Sequence, residues 1–260
     1  MIQVVDRVAR MLGVFTPEQP ELTLMECATA AELTKSSAHR LLSSLEEVDL
    51  VERVGTRWRL GPRVVWLATV RLGALDLRRE AVPYLRELSG SYHSASAFSV
   101  PNGSDLIYLE RFESPDAVGM NARLGGVTPI WAGASGRAIL SRLSAEERDR
   151  RLSDDRWHQL PTETRDWVLG EVAEAERVGY CVEESSRFWP GVSGVAEAIC
   201  DPHGAPVAAV SVILPTDRFT PERAEEIGNR LTGIASRLET LTSLVESPTS
   251  SEQRTPVSVA

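Results

Sequence analysis

The run Thr34-Lys35-Ser36-Ser37-Ala38-His39-Arg40 gathers three hydroxyls, a histidine and two fixed cations around one alanine, and Ser44 lies one further turn along the same helical face. Side chains of this kind suit the exposed N-terminal end of a helix in the major groove of DNA. There hydroxyls reach base edges and cations neutralise phosphates. Lys35 is the one lysine among 260 residues. In Arg57-Trp58-Arg59 the residues alternate, so a strand would put both arginines on one face, open to an anion. His39 follows the apolar Ala38 and fits either a backbone contact or a packing role. A solvated surface helix with ordinary caps would carry part of the same pattern. A protein-interaction module is another alternative, although its face would need aromatic or aliphatic anchors rather than serines and arginines.

Catalytic arrangements are weaker. Gly191-Val192-Ser193-Gly194 lacks the G-x-S-x-G spacing of a nucleophile elbow, and no G-x-x-x-x-G-K-[ST] phosphate loop occurs. Glu183 and Glu184 could pair for acid–base work, but neighbours on a strand point to opposite faces, so one alone would enter a pocket. The surviving enzymatic alternative is a degenerate small-molecule hydrolase, which would alter its ligand chemically. The expectation is no enzyme and no cofactor. Cys27, Cys181 and Cys200 are scattered, and the four histidines form no H-x-x-x-H pair, so neither a disulfide framework nor a metal site is expected. No apolar run approaches the roughly 20 residues of a membrane span, and the N-terminus lacks a secretory signal. A cytoplasmic protein without membrane contact is expected.

The spacing of apolar residues predicts the elements that position these groups. Val5, Val8, Ala9, Leu12 and Phe15 make one helical stripe. Thr23-Leu24-Met25-Glu26 reads as a capping box that opens a short second helix. Thr34 caps a third, with Ala38, Leu41, Leu42 and Leu45 inward. Two short helices joined by a tight turn form a helix-turn-helix. Alternating runs around Gly55, over residues 50–60, form a hairpin wing with Trp58 and Leu60 facing the helices. Pro62 opens a linking helix. From about residue 76 a helix is followed by strands at 95–100, 106–112 and 118–123, helices at 134–143, 144–152 and 165–178, strands at 195–200 and 207–214, and a helix over 221–245. Residues 246–260 read as a disordered tail. Charge divides along similar lines: residues 1–75 hold nine basic and nine acidic side chains, so the remainder carries the whole net charge of −9. A neutral head on an acidic body suggests that anion binding belongs to the head.

Several blocks occur in a telling order: Val5-Asp6-Arg7, Leu33 through Leu42, Arg59-Leu60-Gly61-Pro62, Gly179-Tyr180, Gly191 through Ala196, and Asp201-Pro202-His203-Gly204 leading into Val207 through Val212. Over about residues 4–245 this order resembles the IclR family of bacterial transcriptional regulators. The resemblance implies an α+β protein: a winged helix-turn-helix DNA-binding domain over 1–61, a linker helix over 62–75, and a GAF-like effector domain with an antiparallel sheet over 76–245. The 246–260 tail would follow. It implies double-stranded operator DNA as a partner, met by Thr34, Lys35, Ser36, Ser37, His39, Arg40, Ser44, Arg57 and Arg59, and self-association as a dimer or tetramer. It further implies a small carboxylate effector on the amides of Ala134 and Ser135, since a helix start attracts anions. Trp131, Glu184, Val192, Gly194, Ser211 and Ile213 would face it. Trp131 stands where the family often has His, and Gly194 and Ile213 replace small polar residues. These departures favour an aromatic or longer apolar acid over one of two or three carbons. Alternatively, Trp131 and Ile213 are core and the site is vestigial. Operator, effector identity and the sign of regulation are not legible.

Overall fold

The computed structural model describes residues 3–16, 18–73, 76–114 and 125–245, and the chain divides into two compact units, Met1–Asp76 and Leu77–Ala260. The first contains α1 (Gln3–Gly13), β1 (Leu22–Thr23), α2 (Leu24–Ala30), α3 (Lys35–Glu46), β2 (Val51–Val54), β3 (Arg57–Leu60) and α4 (Pro62–Gly73). The capping box forms as expected, with the Thr23 side chain accepting from the Glu26 amide and the Glu26 carboxylate from the Thr23 amide. Glu32 takes a positive φ of 55° and turns the chain into α3, whose N-cap is Thr34. Met11, Cys27, Ala38, Leu42, Val51 and Trp58 close a small core. The α1 stripe is shifted from the expected one: Met11 is buried, while Val5 and Ala9 are exposed. The first turn of α1 lies ahead of the other helices, so only Val8 onward finds packing partners. Gly61 fastens the wing to the turn after α3, because a Cβ there would lie 2.2 Å from the Asp49 carbonyl oxygen.

The second unit contains α5 (Asp76–Tyr92), β4 (Ala95–Asn102), β5 (Asp105–Glu113), β6 (Val127–Pro129), α6 (Ala134–Ser141), α7 (Ala145–Arg151), α8 (Asp155–His158), α9 (Thr162–Val178), β7 (Cys181–Glu183), β8 (Val192–Cys200), β9 (Pro206–Pro215) and α10 (Pro221–Val245). Among the described residues, six strands pair antiparallel in the order β6-β5-β4-β9-β8-β7. The strand expected at 118–123 and the tail over 246–260 lie outside the described residues. Both sheet faces are covered, which explains the nearly unbroken apolar runs of β8 and β9. The faces differ in size. Toward α5 and α10 stand Val195, Ile199, Val210, Val212 and Leu214. Toward α6 and α9 stand the small Ala95, Ala97, Ala196, Ala198 and Ala209, against which larger side chains such as Trp131, Ile139 and Trp157 pack. No helix among the described residues is long and apolar enough to cross a membrane.

Candidate functional site

On the first unit, α3 buries Ala38, Leu42 and Leu45 and exposes Thr34, Lys35, Ser36, Ser37, His39, Arg40 and Ser44 together. His39 is thus a surface residue, which removes the packing alternative. Thr34 and Ser37 are partly committed to the helix start: the Ser37 amide donates to the Thr34 hydroxyl at 3.3 Å, and that hydroxyl donates to Ser37 Oγ at 2.9 Å. Lys35 and Arg40 pair with no acid among the described residues. Arg7, which residue spacing did not single out, lines a shallow groove with Ser37, Arg40 and Ser44 and is equally unpaired. Three unneutralised cations on and beside one exposed helix face can hold a phosphate backbone while the hydroxyls approach base edges.

The wing arginines share the exposed face of β3, as alternation expects, but each has an acidic neighbour. Arg57 donates to the Glu21 carbonyl at 3.0 Å and lies 3.9 Å from the Glu26 carboxylate. Arg59 is paired with Glu52 at 2.5 Å and with Glu21 at 3.5 Å. Both guanidinium groups stay about half exposed, so their charge is partly balanced by these acids while remaining accessible from solvent. The acids reach them because β3 is the central strand of the sheet β1-β3-β2. Glu52 stands directly opposite Arg59 on β2, and β1 brings Glu21 alongside. The two-residue β1 was too short for alternation to reveal. The inward turn of Trp58 is found, whereas Leu60 remains 38% exposed.

On the second unit, the chain before α6 doubles back on itself. Gly136 touches the preceding backbone so closely that a Cβ would fall 1.8 Å from the Ile130 carbonyl oxygen. The N-cap, Gly133, supplies no side-chain cap, and the first closing bond runs from the Arg137 amide to the Gly133 carbonyl at 3.1 Å. The amides of Ala134, Ser135 and Gly136 therefore lack intrahelical acceptors and carry the positive end of the helix dipole. Beneath them lies β8, where a Cβ on Gly194 would sit 3.4 Å from Ala134 Cβ. Gly194 is paired with Ile213, and Ser211 with Ala196 and Ala97, all on the small-residue face. Trp131, Ala134, Ser135, Gly194, Ser211 and Ile213 are thus brought together and buried, with Val192 half-buried at the rim. Two polar atoms in this group, Trp131 Nε1 and Ser211 Oγ, have no hydrogen-bond partner among the described residues.

Glu184 departs from this group. Its side chain is exposed, and its carbonyl accepts from the Ser193 hydroxyl. The buried acid is its neighbour Glu183, paired with Gly194 in the sheet and bonded to Arg137 at 2.5 Å. Alternation selects one of the two acids, and the short strand β7 sets the phase opposite to the one assumed. Arg137 is fully buried; it also meets Glu171 at 2.8 Å and donates to the Ala132 carbonyl at 3.3 Å. Burial, opposed by Arg137 and reinforced by Glu183, raises the Glu171 carboxyl to about 7. Trp167 meets two guanidinium groups, those of Arg137 and Arg187, each 4.7 Å from the ring centroid. Sequence spacing did not reveal this cluster, whose members come from α6, α9, β7 and the segment after β7. The abundance of tryptophan between residues 131 and 189 was its one signal.

Residues 69–240 match the family described as bacterial transcriptional regulator IclR C-terminal, and residues 4–55 match the IclR helix-turn-helix domain. The acetate operon repressor of Salmonella typhimurium is 27% identical over 234 residues, covering 87% of this chain and 85% of that protein. The regulator KipR of Bacillus subtilis is 28% identical over 209 residues, covering 79% and 83%. Among solved structures, an IclR homologue from Microbacterium hydrocarbonoxydans complexed with 4-hydroxybenzoate has a TM-score of 0.76 at 26% identity, over 92% of this chain and 98% of that one. A regulator structure from Silicibacter has a TM-score of 0.80 at 27% identity, over 92% and 96%. With both matches in order along one chain and the fold shared throughout, this protein belongs to the IclR family: it is a DNA-binding transcriptional regulator with a C-terminal effector domain.

Proposed function

We propose that the protein represses transcription from a double-stranded operator as a symmetric oligomer, and that residues 76–245 release or strengthen that grip on binding a small aromatic carboxylate. Residues 1–61 would read DNA and residues 62–75 would link the two functions. The observation that carries the ligand class is the pair of orphaned buried atoms, Trp131 Nε1 and Ser211 Oγ, on the small-residue face beneath the open amides of α6. Buried polar groups in native proteins almost always have partners, so a ligand with complementary groups is the natural one here. A carboxylate would accept from the Ala134 and Ser135 amides. A ring would lie against Trp131, and a hydroxyl on it would meet Ser211. Glu184 has no part in this arrangement, and Glu183 is committed to Arg137. The 4-hydroxybenzoate complex of the Microbacterium relative supports the same class; repressor names among relatives support the sign of regulation.

The test is titration of the full chain with 4-hydroxybenzoate and related acids, followed by tryptophan fluorescence, alongside band-shift assays on DNA flanking its own gene. Binding that changes operator affinity by a coupling of about 1–3 kcal/mol is expected. Ser211→Ala should weaken hydroxylated acids selectively. Absence of binding by every acid, or binding indifferent to Trp131 and Ser211 substitutions, would overturn the assignment.

A further inference from the structure

The chain between β7 and β8 places three large side chains, Arg187, Phe188 and Trp189, beside the start of α6. The segment is held in one shape by its own bonds. The Ser186 amide donates to the Val192 carbonyl at 2.8 Å and the Val192 amide to the Trp189 carbonyl at 3.2 Å. The Ser186 hydroxyl accepts from the Phe188 amide at 3.2 Å and the Trp189 amide at 3.1 Å. Arg187 adds an outer tie through its stack on Trp167. Phe188 meets the Trp131 ring edge-on at 5.0 Å and Trp189 at 6.3 Å. Trp189 lies against the N-cap itself: a Cβ on Gly133 would be 3.3 Å from Trp189 Cζ3 and 3.8 Å from Cη2. Gly133 immediately precedes the two amides assigned to the effector carboxylate. Any anion on those amides therefore has the benzo ring of Trp189 at its side.

We infer that Phe188 and Trp189 are specificity-determining residues of the effector pocket, with Trp189 selecting ligands whose body is flat. The inference rests on the effector reading given above and adds to it the wall that chooses shape. Phe188 and Trp189 pack against the cluster that holds Ala134 and Ala196, and the small Gly194, Ala196 and Ser211 of the adjoining strands offer little grip of their own. A planar ring can face the Trp189 indole over its whole area, whereas a puckered ring of similar size holds only part of itself at contact distance. Because the segment is closed by its own hydrogen bonds, the wall is in place before the ligand arrives, and little ordering is lost on binding. Trp189 is half-buried, so its ring reaches both the site and solvent.

The experiment is calorimetric titration of the full chain with two acids of matched length, 4-hydroxybenzoate and trans-4-hydroxycyclohexanecarboxylate. Wild type is expected to favour the flat acid by about threefold to tenfold, the range aromatic pairing supplies beyond area. Trp189→Leu keeps apolar volume but removes the planar face; it should bring the ratio to within about twofold by weakening the flat acid alone. Trp189→Phe should retain most of the preference. Should the leucine variant not fold, Trp189→Met, which likewise keeps apolar volume without a planar face, carries the same expectation. An unchanged ratio in Trp189→Leu, with Ser211→Ala still weakening 4-hydroxybenzoate, overturns this inference and spares the effector reading. Equal loss of both acids in the variants also overturns it, since that marks a merely structural wall. Failure of wild type to bind either acid overturns both.

Discussion

Replacing Arg40 by alanine tests the DNA-reading face most directly, because its guanidinium is exposed and unpaired on the outer side of α3. Each phosphate neutralised contributes about 0.9 to the slope of log affinity against log salt. Arg7, Lys35 and Arg40 together then supply about 2.7 per winged domain, and loss of Arg40 removes about 1.8 from a symmetric pair of domains. Between about 50 and 200 mM salt, that difference makes the decay of affinity about tenfold shallower in the variant than in the wild type. Arg59→Ala is the internal comparison. Its charge is already balanced by Glu52 and Glu21, so its slope change should be less than half that of Arg40→Ala. The assay is fluorescence anisotropy of a labelled operator at four salt concentrations, with far-UV dichroism to confirm folding. Arg40→Glu, which adds repulsion, should abolish binding altogether. Wild-type affinity and slope in Arg40→Ala, or a larger change for Arg59→Ala, would refute the reasoning.

Gly136→Ala would place a Cβ 1.8 Å from the Ile130 carbonyl oxygen; a loss above about 4 kcal/mol is expected, and an unfolding midpoint within about 2 °C of wild type would contradict the packing of α6. Burial holds the Glu171 carboxyl at about 7 against an ordinary 4.5, so the folded state keeps its proton longer. Its stabilising contribution is therefore present at low pH and is lost as pH rises through about 7. Urea unfolding should show the wild type losing about 1–3 kcal/mol more than Glu171→Gln between about pH 5 and pH 8, and parallel profiles would dismiss the effect. Val65, Trp66 and Leu67 expose an apolar strip on α4. Trp66→Ser should shift sedimentation at micromolar concentration toward the monomer, and an unchanged coefficient would assign self-association elsewhere.

The first unit was largely legible in sequence because its signals are local. Thr23 and Glu26, Thr34 and Ser37, and the pair of strands around Gly55 each settle a feature within a few residues. What failed there was non-local: Glu21 reaches Arg59 across thirty-eight positions, by way of a strand of two residues. In the second unit the long helices and the apolar runs of β8 and β9 were readable, whereas β6, β7 and α8, of three, three and four residues, were too short for any period to establish itself. That shortness explains the exchange of Glu184 for Glu183. In a long strand the inward phase is fixed by several apolar residues; in β7 it is fixed by Cys181 alone. The Arg137 cluster, assembled from α6, α9, β7 and the segment after it, has no linear signature at all.

The order of strands in the second unit also sets a timetable for synthesis. The central partner of β4, which ends at Asn102, is β9, which begins at Pro206. On a ribosome adding about 5–20 residues per second, the β4–β5 hairpin waits roughly 5–20 s with an unpaired edge before its neighbour emerges. The winged unit, a compact body within residues 1–76, can fold well before then. A nascent or prematurely terminated chain would thus carry a competent DNA-reading head with no means of hearing its effector, and an exposed strand edge that invites aggregation. A nonsense mutation late in the gene should accordingly behave differently from a deletion: its product can still occupy DNA, unresponsive to any effector, until proteolysis of the unfinished sheet removes it.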